Sequence, residues 1–173
     1  MNIYLIGYRC TGKTSVGLML SERTDWQLVD TDQRIVAHAG MPVSDIVAQN
    51  GWSYFREIEK QVLAETAAAS RLVVATGGGI VLDPDNRTIL EDPGHFTVWL
   101  QAAPASIEKR MKADAQTETL RPALTESSLA GEITDTLAAR GPFYESAKDL
   151  VIDTDRMSVA EICELIVKEI MRH

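Results

Sequence analysis

Short runs of apolar residues alternate along the chain with longer segments in which apolar positions recur at helical spacing. The short runs, which predict β-strands, lie at 2–6, 26–29, 72–75, 96–100 and 150–152. The segments with helical spacing begin near 13, 35, 43, 53, 105, 129 and 159. Because nearly continuous apolar strands alternate with helices, the pattern predicts an α/β fold with a parallel sheet covered on both faces.

Two breaks interrupt this pattern. Gly40, Met41 and Pro42 separate two short predicted helices. A polar stretch at 112–128, which contains Pro122, shows no clear period. We interpret this stretch as a mobile excursion and not as a boundary, so the chain from 1 to 173 is predicted to form a single domain.

The charge balance restricts the class of partner. Seventeen Lys and Arg side chains stand against 25 Asp and Glu, which gives a net charge of −8. Such a surface repels nucleic acids and anionic membranes, so we expect neither as a partner.

No apolar run approaches the ~20 residues of a membrane-spanning helix, and the first residues lack the basic region of a signal peptide. Cys10 and Cys163 form no disulfide framework and no zinc pattern, and we expect a cytoplasmic protein.

One segment matches a known phosphate-binding pattern, G-x-x-x-x-G-K-[ST], between a predicted strand and a predicted helix. Backbone N–H groups of such a loop surround phosphate oxygens, and the helix N-terminus adds positive potential. Lys13 is positioned to reach the β- and γ-phosphates, and the Thr14 hydroxyl to bind Mg²⁺. The sequence therefore predicts a nucleoside triphosphate site. Its expected contact residues are Gly7, Cys10, Thr11, Gly12, Lys13, Thr14 and Ser15.

An acidic pair follows the second predicted strand. Asp30 and Asp32 lie at the strand end, which is where open α/β sheets bind ligands. If the backbone stays extended there, the two carboxylates point the same way, one toward a metal and one toward an acceptor hydroxyl. The alternative is a helix that begins here, with Asp30 or Thr31 as its N-cap and Asp32 in its first turn. Both interpretations remain open.

Arg56 and a glycine run add a possible anion site. Glu59 lies three residues after Arg56, so the pair is either a solvated ion pair or a carboxylate-supported guanidinium that binds a substrate carboxylate. Gly77, Gly78 and Gly79 directly follow a strand, and form either an anion-binding nest or a flexible turn.

Two later arginines have functional and incidental interpretations. Arg121 precedes a proline in the polar stretch, and either closes over the phosphates or is simply exposed. Arg140 ends a predicted helix, where it either binds the acceptor or only complements the helix dipole. The chain lacks the Asn-Lys-x-Asp motif that reads guanine, which disfavours a GTPase.

Together these motifs resemble the ordered set of the shikimate kinase family over nearly the whole chain. The matching residues are Gly7 to Thr14, Asp30 and Asp32, Phe55-Arg56-x-x-Glu59, Gly77-Gly78-Gly79, Leu120-Arg121-Pro122 and Arg140-x-x-x-Tyr144. The resemblance implies a P-loop, nucleoside-monophosphate-kinase-like fold with a five-stranded parallel sheet. It also implies a helical substrate-binding region at about 31–62 and a mobile lid at about 112–126.

The resemblance further implies transfer of the γ-phosphate of ATP to the 3-hydroxyl of shikimate. Asp32 would hold the shikimate hydroxyls and act as the base, while Thr14 and Asp30 would place Mg²⁺. Arg121 would contact the transferring phosphate. The family pattern assigns acceptor binding to Arg56, Gly78, Gly79 and Arg140, and the flanks of the adenine to Arg110 and Arg156.

Two alternatives stay open from the sequence. A related small-molecule kinase such as a gluconate kinase shares the phosphate loop, but gives no reason for two arginines beside the acidic pair. A non-catalytic nucleotide-binding regulator could keep the same fold, although the presence of Lys13, Asp32 and Arg121 argues against it. We expect the chain to be a monomer.

Overall fold

The computed structural model describes residues 1–113 and 128–172. The predictions for Arg121 and for most of the lid therefore lie outside the described residues. The elements, in chain order, are β1 (Ile3–Ile6), α1 (Lys13–Thr24), β2 (Gln27–Asp30), α2 (Thr31–Ala39), α3 (Val43–Ala67), β3 (Leu72–Ala75), a 3₁₀ turn (Ile80–Leu82), α4 (Pro84–Leu90), β4 (Phe96–Gln101), α5 (Pro104–Ala113), α6 (Leu129–Ala147), β5 (Leu150–Asp153) and α7 (Val159–Ile170).

The strands form one parallel sheet in the order β2-β3-β1-β4-β5. All five predicted strands are present, and the predicted parallel five-stranded sheet is confirmed. Since the strands are parallel, their carboxyl ends meet at one edge. The phosphate loop, the acidic pair and the glycine run follow β1, β2 and β3, which are neighbours in the sheet, so these three segments are brought together there.

Both faces of the sheet are covered, as the continuous apolar strands predict. Alternate residues of β1 point to opposite sides. Ile3 and Leu5 belong to a core formed with α1 and α7, and Tyr4 and Ile6 belong to a second core formed with α3, α4 and α6. These four side chains have no exposed surface.

A third, smaller core joins α2 to α3 beside the sheet edge. Its buried members are Ile35, Ile46, Phe55, Ile58 and Val62. Gly40 ends α2 in the left-handed conformation (φ 69°), which confirms the predicted break. Gly51 adopts a non-helical backbone (φ 80°, ψ 170°), so α3 consists of two helical stretches, as predicted.

Two parts of the helical prediction need correction. α6 does not end at Arg140: it continues through Pro142 to Ala147, because Tyr144 and Ala147 are buried in the second core and their packing outweighs the lost hydrogen bond. α4 was not predicted, since it has only seven residues; Asp83 caps its N-terminus and Pro84 begins it.

None of the helices in the part of the chain that the structure describes has the length and apolar content needed to cross a membrane.

Candidate active site

The phosphate loop connects β1 to α1 at the carboxyl edge of the sheet. Gly12 is the N-cap of α1, and Lys13 is the first residue of that helix. The Lys13 ammonium donates to the carbonyl oxygens of Gly7 (2.8 Å) and Tyr8 (2.7 Å), and only 9% of the residue is exposed. Thr11 Oγ1 also donates to the Tyr8 carbonyl, at 2.8 Å. The loop backbone therefore holds the lysine that the sequence assigns to the phosphates.

A cleft of about 410 Å³ opens beside this lysine. It is lined by Cys10, Gly12, Lys13, Thr14, Ser15, Asp30, Asp32, Ala75 and Thr76. Thr14 and Asp30 bring a hydroxyl and a carboxylate to the same cleft. Oxygen donors of this kind suit Mg²⁺, which keeps most of its waters and takes one or two protein ligands together with phosphate oxygens. The residues present therefore fit the predicted ion.

The backbone does not stay extended through the acidic pair, because the helix α2 begins directly after Asp30. Asp30 is the last residue of β2 and caps α2 by accepting from the Gln33 N–H at 3.1 Å, while Asp32 lies in the first turn. The interpretation with an extended backbone from Asp30 to Asp32 is therefore wrong, and the alternative of a helix with Asp30 as its N-cap is confirmed. Asp30 and Asp32 still line one cleft, because α2 begins directly at the carboxyl edge of the sheet.

A second cleft, of about 530 Å³, continues from the first, and we call it the acceptor pocket. Asp32 lines both spaces. Acidic, basic and aromatic side chains share its walls with the glycine run. The lining residues are Tyr8, Arg9, Asp32, Val43, Trp52, Phe55, Arg56, Glu59, Gly77, Gly78, Gly79 and Arg140.

Arg56 and Glu59 form an ion pair, with Nη1 and Oε2 2.5 Å apart. Glu59 is only 1% exposed, so the interpretation as a solvated pair is wrong. Burial raises the pKa of Glu59 to about 6, and the Arg56 charge opposes this rise only in part. The guanidinium also lies 5.1 Å from the centre of the Phe55 ring and 5.5 Å from that of Trp52. These contacts orient Arg56 at the pocket wall.

The glycine run gives the charged side chains room to approach. A Cβ atom on Gly79 would lie 2.2 Å from Arg56 Nη2. A Cβ atom on Gly77 would lie 2.8 Å from Asp32 Oδ1 and 2.9 Å from Glu59 Oε1. Any side chain at these two positions would therefore displace the groups that line the pocket.

Arg140 and Tyr144 reach the same pocket from α6. Arg140 Nη1 donates to the carbonyl oxygen of Gly78 at 2.9 Å, and the Tyr144 hydroxyl donates to the same oxygen. Arg140 lies in the interior of α6 and is 9% exposed, so the alternative role as a C-terminal dipole partner is wrong. Burial raises the pKa of Tyr144 to about 12, so the phenol keeps its proton at neutral pH.

A third cleft, of about 780 Å³, extends from the phosphate loop toward β5 and α7. Arg110 lines it, and donates to the carbonyl of Cys10 (3.2 Å) and to Asp155 Oδ1 (2.7 Å). Arg156 does not line this cleft. Its side chain is 84% exposed and pairs with Asp153 at 3.1 Å. The structure thus brings one of the two arginines predicted at the adenine to a cleft beside the loop.

The sequence motifs did not indicate three further residues of the site. Tyr8 and Arg9 occupy variable positions of the phosphate-loop pattern and line the acceptor pocket. Glu132, in the first turn of α6, pairs with Arg9. The phosphate-loop pattern places Tyr8 and Arg9 next to the site, but it does not restrict which residues stand at these positions. Nothing local indicated Glu132, which is separated from Arg9 by 123 positions.

A phosphate loop that opens into a pocket with carboxylates and arginines, on a parallel five-stranded sheet, defines an ATP-dependent kinase of small molecules. The chain belongs to the shikimate kinase family, whose model, described as shikimate kinase, matches residues 9–171. This membership selects shikimate kinase over the two alternatives that the sequence left open.

Individual relatives agree with this assignment. The chain is 41% identical to the shikimate kinase of Symbiobacterium thermophilum, over 98% of this chain and 96% of that protein. It is 39% identical to the shikimate kinase of Syntrophus aciditrophicus, with 96% and 89% covered. Among solved structures, the shikimate kinase from Acinetobacter baumannii in complex with shikimate superposes with a TM-score of 0.90 at 29% identity, covering 99% of this chain and 93% of that one.

Proposed function

We propose that the acceptor pocket binds shikimate and that the chain transfers the γ-phosphate of ATP to its 3-hydroxyl, giving shikimate 3-phosphate and ADP. One observation supports this arrangement above all: Asp32 lines both the cleft of the phosphate loop and the acceptor pocket. A hydroxyl that contacts this carboxylate lies between the two bound substrates. Asp32 is therefore the candidate for orienting the acceptor hydroxyl and receiving its proton.

The acceptor carboxylate is assigned to Arg56 and Arg140. Arg56 is oriented by Glu59, and Arg140 forms no ion pair within 1–113 and 128–172. Two guanidinium groups and the Asp32 carboxylate in the walls of one pocket match a molecule that carries both a carboxylate and hydroxyls. Gly78 and Gly79 complete the surface against which this molecule packs.

The nucleotide phosphates are assigned to the loop. Gly7, Cys10, Thr11, Gly12, Thr14 and Ser15 would surround them, and the Lys13 ammonium would move from the loop carbonyls to the β- and γ-phosphate oxygens. Thr14 and Asp30 would hold Mg²⁺, which would supply positive charge to the phosphates. Arg121 is proposed to contact the transferring group, on the resemblance alone.

The remaining assignments follow the family pattern. Arg110 is proposed to flank the adenine from the third cleft. Arg156, which does not line that cleft, is proposed as the second flanking residue on the resemblance alone. The chain is proposed to act as a monomeric single domain, with residues 31–62 forming the acceptor-binding region and residues 112–126 forming the lid. The third core, between α2 and α3, supports the first of these boundaries.

The experiment is an ADP-release assay with shikimate, gluconate and nucleoside monophosphates as acceptors. We expect turnover with shikimate alone. Arg56→Ala should raise the KM for shikimate at least tenfold, while Lys60→Met, which breaks an ion pair with Asp85 elsewhere on α3, should leave both kinetic constants unchanged. Turnover with gluconate but not with shikimate would refute the proposed function.

A further inference from the structure

Tyr8, Arg9 and Glu132 contact one another through buried polar groups, and we call these three residues the Arg9 cluster. Arg9 Nη2 forms an ion pair with Glu132 Oε1. Arg9 Nε donates to the Tyr8 hydroxyl at 3.3 Å, and that hydroxyl donates to Glu132 Oε1, also at 3.3 Å. Tyr8 is 1% exposed, Glu132 3% and Arg9 9%. Such a buried pair is held in a single geometry by its hydrogen bonds.

The cluster is connected to the phosphate-binding lysine through the backbone of Tyr8. The Tyr8 carbonyl accepts from Lys13 Nζ at 2.7 Å and from Thr11 Oγ1 at 2.8 Å. The side chain of Tyr8 thus contacts Glu132 while its main chain contacts Lys13. A displacement of the Tyr8 ring would move the carbonyl that holds the ammonium.

The cluster also connects the loop to the helix that supports the acceptor pocket. Glu132 lies in the first turn of α6, and Arg140 lies eight positions later, about 12 Å along the helix axis. Arg140 and Tyr144 contact the carbonyl of Gly78 in the pocket. One helix therefore contacts the phosphate loop near its beginning and the acceptor pocket near its end.

We propose that the Arg9 cluster positions the phosphate loop relative to α6, and so sets the distance between Lys13 and the acceptor held by Arg140. Arg9 acts here as a positioning residue and not as an acceptor-binding residue, because its guanidinium is held by contacts with both Tyr8 and Glu132. Transfer of a phosphoryl group depends strongly on alignment, and a misplacement of about 1 Å reduces the rate by about 100-fold. Loss of the cluster should therefore reduce kcat more than it changes either KM. This inference rests on the proposed function.

The test compares Arg9→Met, Glu132→Leu and the double variant in the shikimate-dependent ADP-release assay, together with thermal unfolding. Each single variant removes one partner of the buried ion pair between Arg9 and Glu132, so both should be less stable than the parent. The double variant replaces the pair by apolar groups of similar volume and should recover most of the stability. We expect the kcat of the double variant to stay at least tenfold lower than that of the parent. Its KM values for shikimate and for ATP should both lie within about threefold of the parent values.

Tyr8→Phe provides a second variant that keeps the ring and removes only the hydroxyl. We expect it to fold normally and to reduce kcat about three- to tenfold with KM unchanged. The control Lys60→Met should have the parent's kinetics. Two results would overturn the proposal: parent-like kcat in the stable double variant, which makes the pair purely structural, or a raised KM for shikimate at unchanged kcat, which makes Arg9 an acceptor ligand. A parent chain that is inactive toward shikimate would instead refute the proposed function.

Discussion

The Tyr144 hydroxyl donates a hydrogen bond to the carbonyl oxygen of Gly78, and so connects the second core to the acceptor pocket. The Tyr144 ring is fully buried and stacks on Trp99, with ring centres 5.6 Å apart and an angle of 25° between the planes. Arg140 donates to the same oxygen. With two donors from one helix, the peptide between Gly78 and Gly79 is restricted to one orientation at the pocket surface.

Tyr144→Phe should weaken acceptor binding without removing it. The variant keeps the stacked ring but leaves the Gly78 carbonyl with Arg140 as its donor. We expect a loss of about 1 kcal/mol in the free energy of unfolding and a rise of about three- to tenfold in the KM for shikimate, with the KM for ATP unchanged. Urea denaturation and steady-state kinetics measure the two effects. Tyr54→Phe, at a residue that is 49% exposed, is the control. An unchanged KM for shikimate would contradict the positioning role of Tyr144.

Glu59→Gln should change how stability depends on pH. The folded-state pKa of Glu59 is about 6, above the reference value of 4.5, so the folded protein binds more protons than the unfolded chain between these values. The stabilising contribution of this group is complete below pH 4.5 and is lost as the pH rises through 6. The amide of the Glu59→Gln variant neither gains nor loses a proton in this pH range. Between pH 4.5 and 7.5, its free energy of unfolding should therefore rise by about 2 kcal/mol relative to the parent. If the free energies of unfolding of the two proteins, measured by urea denaturation, change with pH in the same way, this prediction is contradicted.

The same variant should weaken the acceptor site at neutral pH. An amide in place of the carboxylate still accepts from Arg56 Nη1 but no longer attracts its charge. We expect the KM for shikimate to rise about tenfold at pH 7.5 while the protein remains folded. The parent should show a similar rise in KM below pH 6, where Glu59 becomes protonated. Kinetics from pH 5 to 8 measure both changes, and a variant with a parent-like KM across this range would show that Arg56 does not need the charge of Glu59.

Gly79→Ala should displace Arg56. The new Cβ atom would lie 2.2 Å from Arg56 Nη2, so the guanidinium would have to leave its present position. Because the displaced group is the end of a flexible side chain, the fold should persist, with a loss in stability of about 1–2 kcal/mol. We expect the KM for shikimate to rise at least tenfold and the KM for ATP to stay the same.

Gly141→Ala is the matched control for this substitution. Within residues 1–113 and 128–172, a Cβ atom there would meet no atom within 4 Å apart from its chain neighbours and the backbone of its own helix, α6. Alanine is the better helix former by about 1 kcal/mol, so this variant should be as active as the parent and slightly more stable. If both glycine variants have the same KM for shikimate, the close contact between Gly79 and Arg56 is not needed for binding.

Asp32→Asn should abolish transfer while nucleotide binding persists. Asparagine has nearly the same shape but cannot accept the proton of the acceptor hydroxyl. We expect kcat to fall at least 100-fold and the dissociation constant for an ATP analogue to remain within about threefold of the parent value. Steady-state kinetics and calorimetric titration measure these quantities separately. Near-normal turnover would exclude Asp32 as an important base.

Much of this architecture could be predicted because its signals are local. The five strands are short apolar runs, and the phosphate loop is a contiguous pattern whose lysine begins α1, as predicted. The pairing of Arg56 with Glu59 follows from helical spacing. The extent of α6 was not predictable in this way, since Pro142 normally ends a helix and only the tertiary packing of Tyr144 shows why it continues.

The parts of the site that could not be predicted depend on contacts between segments that are far apart in the sequence. The contact of Arg9 with Glu132 joins the loop after β1 to the first turn of α6, 123 positions later in the chain. The depth at which Glu59 is buried, and hence its raised pKa, likewise depends on how α3 packs against the glycine run. Periodicity indicates which residues of a helix are inside, but not which charged groups they meet.

The order β2-β3-β1 at the sheet edge has a consequence for how activity is lost. Parallel strands lie about 4.8 Å apart, so the segments that hold the acceptor and the nucleotide are spaced by backbone hydrogen bonds and not by a flexible hinge. A slip of one residue in β3 would move the glycine run by about 3.3 Å, which is enough to separate the reacting groups. Catalytic competence is therefore a sensitive reporter of strand register: during denaturation, turnover should disappear in step with the sheet.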